Sequence, residues 1–193
     1  MENIFIKKQE YEVIDKINNF TFLVKKDNQE YLAYVFSDDK TNFSNFKFAY
    51  KRLKNCGITI PKLFEIDKKN LSFLVENIKG KTVLEELLEH YLDEKIIEEA
   101  FTQNYKARVN RLRLDFDPIN FKYVDNKLYY LPFTFTEYIR DKDFSSEEFK
   151  YWIYTKDFVS YLRSKGLPIN QSRVGNEYET NKKMVLLVVK YFR

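Results

Sequence analysis

The sequence has 193 residues, 33 lysines and arginines against 29 aspartates and glutamates, 18% aromatic residues and only four glycines; that length buries a real core in one domain or two small lobes, and that composition argues against a disordered adaptor. One cysteine, Cys56, and one histidine, His90, exclude an internal disulfide and speak against a structural zinc site. The net charge of +4 is mild, the first residues are charged where a secretory leader needs an apolar core, and no apolar run reaches membrane-span length, so the expected setting is cytoplasmic and reducing.

Residues 4 to 36 alternate with period two through Ile4, Ile6, Val13, Phe20, Phe22, Val24, Tyr31, Ala33 and Val35, which predicts strands, with Asp27 and Asn28 turning the last hairpin. Residues 42 to 54 switch to helical spacing: Phe43, Phe46, Tyr50 and Leu53 share one face, and Lys47, Lys51, Arg52 and Lys54 occupy the others. Gly57 ends that helix and Pro61 opens the next strand. Thr82 with Glu85 predicts a capping box for a helix reaching about His90, whose imidazole reads as a surface group at the helix end.

A longer helix is expected from Asp93 to about Leu112, with Ile97, Phe101, Tyr105, Val109 and Leu112 facing the core. Its last turns carry Lys106, Arg108 and Arg111, followed by Arg113; cations complement a helix C-terminus, and a sharper reading makes them an anion-binding rim beside Asp115. Phe121, Tyr123, Leu128, Tyr130 and Leu131 around Asp125 and Asn126 predict a hairpin. Residues 133 to 144 read as extended. Ser145 with Glu148 predicts a second capping box, opening a helix whose buried stripe is Phe149, Trp152, Ile153, Val159 and Leu162, stopped by Gly166 and Pro168. Residues 167 to 179 read as a polar loop, and 181 to 193 as either a helix or a buried strand.

The stretch RLDFDPINFKYVDNKLYYLPF, residues 113 to 133, has the layout of a kinase catalytic loop: Asp115, a proline, Asn120 five residues on, then a hairpin. In order around it stand Gly57 to Pro61, GITIP, and Phe73 to Gly80, FLVENIKG. Together these segments resemble small bacterial sugar and lipopolysaccharide-core kinases and aminoglycoside or fructosamine kinases, over roughly residues 10 to 165. The resemblance implies an α+β, two-lobed kinase-like fold: a small antiparallel-sheet N-lobe with one helix over residues 1–78, ending at a hinge that carries Glu76, and a shortened, mostly helical C-lobe over 79–193. It also implies Asp115 as the base for a substrate hydroxyl and Asn120 as a metal and nucleotide ligand.

On the nucleotide side the chain departs from that family. The metal-binding aspartate after the hairpin is replaced by Leu131, Pro132 and Phe133, and proline offers no ligand to magnesium. The lysine of the third N-lobe strand falls at Tyr34 or a neighbour, and its glutamate partner on the following helix falls at Phe46, which would plug the nucleotide side with a ring. No glycine precedes Gly57, so the phosphate-covering loop lacks its usual residues, and the histidine two before the aspartate is Arg113. Asp141 and Asp143 lie downstream but do not follow the strand directly.

The expected function is therefore that of a pseudokinase: no bound cofactor, and an unidentified protein partner for which the chain is adaptor, regulator or inhibitor. In the competing reading, a divergent small-molecule kinase, ATP and Mg are required and Asp115 and Asn120 do the work. A third is an RNA- or nucleoprotein-binding inhibitor from a mobile element, using the basic helix end as its contact. At single residues the structural roles are the commoner ones: Asp115 and Asn120 as loop-bonding groups, Asp117 before Pro118 as a turn former, Glu76 as a solvated or paired carboxylate, and Trp152 as core.

Overall fold

A computed structural model describes residues 3–140, 142, 144–173, 182, 186, 189 and 190. The first part is a curled six-stranded antiparallel sheet, made of β1 (Asn3–Ile6), β2 (Gln9–Lys16), β3 (Thr21–Lys26), β4 (Gln29–Val35), β5 (Leu63–Asp67) and β6 (Ser72–Glu76), in the order β1-β2-β3-β4-β6-β5. The expected turn at Asp27 and Asn28 forms, with φ of 49° and 63°, the left-handed values of a tight hairpin. Helix α1 (Lys40–Asn55) connects β4 to β5, capped by Asp39, whose carboxylate accepts from the Asn42 amide at 2.9 Å. It ends at Cys56 and Gly57, the latter at φ +74°.

Alternation along β4 and β6 divides their side chains between two faces. Tyr34 and Leu32 on β4, with Phe73 and Val75 on β6, pack towards Phe43, Phe46 and Tyr50 of α1. Ala33 and Leu74 point the other way, into a smaller cluster with Ile6, Tyr11 and Val24. The curl brings β1 back to the opposite edge, where Asp67 accepts from the Lys7 amide at 2.7 Å and Asn70 donates to the Phe5 carbonyl at 3.3 Å. Burial alone would push the Asp67 carboxyl up, but amides of Lys7, Asn70 and Lys69 bond its charged form and hold it below the usual carboxylate range.

The second part packs α2 (Val83–Glu89), α3 (Glu94–Val109) and α4 (Lys156–Ser164) around the hairpin of β8 (Phe121–Val124) and β9 (Lys127–Tyr130). The short strands β7 (Leu112–Arg113) and β10 (Thr136–Glu137) pair beside it. Both halves of the Thr82–Glu85 capping box are present. Thr82→Ala is expected to lower unfolding free energy by about 1 kcal/mol in a urea titration, because the Glu85 amide loses its acceptor.

Two expected stripes are displaced. On α3, Tyr105 and Val109 are exposed, and the inward residues are Ile96, Ile97, Ala100, Phe101, Gln103, Asn104 and Ala107. Successive steps of four overshoot the 3.6-residue turn, so a stripe begun at Ile97 rotates out of the core by Tyr105. The predicted helix from Ser145 does not run through. Residues 144–148 form a π turn, 149–151 a 3-10 turn, and α4 starts only after Thr155, whose hydroxyl accepts from the Phe158 amide at 3.1 Å and donates to the Lys150 carbonyl at 2.8 Å. That break lets the Trp152 indole donate to the Phe116 carbonyl at 2.7 Å while Tyr154 turns towards Asn170. Gly166, at φ +66°, follows α4 as expected. Asp141, Asp143 and most of 174–193 lie outside the described residues; Lys182, Leu186, Val189 and Lys190 are helical. Among the described residues no helix is long and apolar enough to cross a membrane.

Candidate functional site

The loop between β7 and β8 is anchored by alternation: Leu114 and Phe116 are buried, and Asp115 between them is exposed. The Asn120 side-chain amide donates to the Asp115 carbonyl at 3.3 Å, and Asp115 Oδ1 accepts from the Asp117 amide at 3.1 Å. Asp117 precedes the 3-10 turn Pro118–Asn120 and accepts from the Ile119 amide at 3.1 Å and the Tyr161 hydroxyl at 2.7 Å. Burial, then the hydrogen bond to Asp117 and its charge, push the Tyr161 phenol well up, so it remains a donor. The Asp115 amide donates to the Tyr130 hydroxyl at 3.3 Å, and that hydroxyl donates to the Thr134 carbonyl at 3.1 Å. Asp115 and Asn120 are thus brought together, by bonds that also serve the loop itself.

The segment that follows β9 enters a knot of rings. Phe133, three residues beyond the end of β9, packs with ring centroids 4.8 Å from Phe46, 5.5 Å from Tyr50 and 5.6 Å from Tyr34. Tyr34 lies 4.7 Å from Phe46, which in turn stacks 4.4 Å from Phe73. Burial pushes the Tyr34 phenol far above its ordinary value, so no charge forms there near neutral pH. Tyr34 and Phe46 therefore meet as an aromatic pair; the kinase resemblance puts the lysine at Tyr34 or a neighbour and its glutamate partner at Phe46. Phe133 closes the group beside Pro132, at the position the kinase resemblance gives to a metal-binding aspartate.

The turn between β2 and β3, where a kinase-like chain would cover the phosphates, uses its own amides. Ile17 and Asn18 donate to the Thr21 carbonyl at 3.0 and 3.2 Å, and Phe20 and Thr21 both donate to the Asn18 side chain at 2.9 Å. A phosphate cradle needs such groups unspent.

Most of the remaining candidates are engaged elsewhere. Glu76 ends β6 and accepts from the Lys62 amide at 3.0 Å. His90 pairs with Glu86 at 2.7 Å across one helical turn. In the proposed anion rim, Lys106 is half-buried, Arg108 leans over the Tyr105 ring at 5.9 Å, and Arg111 is exposed just beyond α3. Arg113 turns to Glu147 and Glu148, at 2.6 and 2.7 Å. Reading from sequence missed that ion triad, because the two glutamates lie 34 and 35 residues away and no local pattern links them. No protein-family model matches this sequence, and comparison with curated proteins gives no match.

Proposed function

We propose that this chain is a kinase-like scaffold without phosphoryl transfer, which acts by docking on a protein partner as an adaptor, regulator or inhibitor. The observation that carries the reading is the Tyr34–Phe46–Phe133 knot. Phosphoryl transfer depends almost wholly on electrostatic clamping of phosphates by a lysine, metal ions and backbone amides. At the corresponding positions this chain offers three rings, a proline and a turn whose amides are already bonded. Supporting the scaffold itself are the sheet with its single helix, the helix pair and the Asp115–Asn120 loop, in the order the resemblance implies. Ile14, Ile17 and Phe20, each at least 44% exposed on β2 and the β2–β3 turn, give that end of the sheet an apolar character suited to a protein rather than to a triphosphate.

Thermal unfolding with ATP, with and without magnesium or manganese, tests this. No metal-dependent rise in melting temperature is expected. A ligand at a hundred times its dissociation constant would add about 2.7 kcal/mol, and a rise of that order would favour the competing reading, an ATP-dependent small-molecule kinase using Asp115 and Asn120. In that event Asp115→Asn should keep the rise and abolish any phosphate transfer.

A further inference from the structure

The outer side of α1 has a regularity that neither the core nor the aromatic knot requires. Lys40, Lys47, Lys51 and Lys54 recur at steps of seven, four and three residues, which returns each to one side of the helix, and all four are exposed. They span about 21 Å of helix axis. Beside them runs a second row, Ser44, Phe48 and Asn55, also exposed, with Phe48 at 64%. No carboxylate occurs from residue 40 to 64 or from 100 to 114. The end of α3 adjoins this surface, since Arg52 donates to the Asn110 carbonyl at 3.0 Å, and it adds Lys106 and Arg111. The chain's mild net charge conceals this segregation.

We infer that the outer side of α1 binds single-stranded nucleic acid, with backbone phosphates along Lys40, Lys47, Lys51 and Lys54 and a base stacked on Phe48. Lysine ammoniums are point charges suited to a flexible phosphate backbone, where a protein carboxylate would be better gripped by the arginine fork. Phe48 is the one large apolar side chain exposed on this helix; its ring lies 6.1 Å from that of Phe135 and is still 64% exposed. A protein interface needs a cluster of desolvated anchors, and a membrane-surface helix needs a broad apolar face; a stacking platform needs one ring beside a charged track, with hydroxyl and amide groups such as Ser44 and Asn55 to meet sugar or base edges.

The test is fluorescence anisotropy of labelled oligo-uridine and oligo-thymidine, each about 12 nucleotides so as to overrun the track, with the full chain at several salt concentrations. Four phosphate contacts predict a slope of log affinity against log salt of about −3. Lys47→Ala with Lys51→Ala should halve that slope, and Phe48→Ala should weaken binding about tenfold without changing it. The exposed pair Lys68→Ala with Lys69→Ala should leave both unchanged. All these side chains are exposed, and circular dichroism with thermal unfolding checks that each variant stays folded. A difference between the two oligonucleotides assigns RNA or DNA. Absence of binding at low salt, binding that ignores Phe48 and the α1 lysines, or equal affinity for poly-glutamate or anionic lipid vesicles overturns the inference.

Discussion

Phe46→Ala is expected to remove about 3–5 kcal/mol of folding free energy, the range for deleting a buried ring whose surroundings relax only in part. Phe46 is 9% exposed and sits among Tyr34, Phe36, Phe73 and Phe133, with centroids from 4.4 to 5.7 Å away. These partners come from β4, β6 and the segment after β9, so one truncation opens a cavity where the sheet, α1 and the loop segment meet. Phe46→Glu, which installs the carboxylate that the kinase resemblance would put there, should cost at least as much near neutral pH. The side chains packed against this position are rings, which offer the new charge no partner. Urea denaturation of both variants checks this. A loss below about 1 kcal/mol for the alanine variant would mean that the ring is not structural, and the reading of the knot as a filled nucleotide cleft would lose its basis.

That knot could be anticipated only in part. The helical spacing of Phe43, Phe46, Tyr50 and Leu53 assigns Phe46 to the inner face of α1, and period two through Tyr31, Ala33 and Val35 sets Tyr34 on the opposite face of β4. Neither pattern says that Phe133, nearly ninety residues beyond Phe46, completes the group; only the resemblance, by aligning Pro132 and Phe133 with a metal-binding segment, hinted at it. Local chemistry was legible where one short segment determines it, as in the Thr82–Glu85 box, the left-handed turns at Asp27–Asn28 and Asp125–Asn126, and the glycine after α1. It misled where tertiary partners decide. Ser145 and Glu148 look like a helix start, yet Glu148 is held by Arg113, and the indole of Trp152 is drawn to the Phe116 carbonyl, so the regular helix waits until Thr155.

Arg113→Ala is expected to cost about 2–4 kcal/mol at neutral pH, because removing one partner leaves a largely buried charge uncompensated. Glu148 has a side chain only 14% exposed, and Arg113 is its hydrogen-bonding cation. Burial raises the Glu148 carboxyl above its ordinary range; Arg113 opposes that, while the charges of Glu147 and Asp115 add to it. A carboxyl whose folded-state pKa is raised binds its proton more readily in the folded than in the unfolded chain, so stability falls as pH rises through that interval and the full cost is present above it. Deleting Arg113 removes the opposing influence and moves the folded-state pKa further up. The difference between variant and parent should therefore be greatest near neutrality and shrink as pH falls through the carboxylate range, where Glu148 takes up its proton. Urea titrations at neutral and acidic pH measure it. Adding Glu148→Gln to Arg113→Ala should flatten that pH dependence, since the buried group no longer ionises. An equal loss at both pH values in the single variant would instead assign Arg113 to packing alone, with its guanidinium charge free to serve the anion rim beside Asp115.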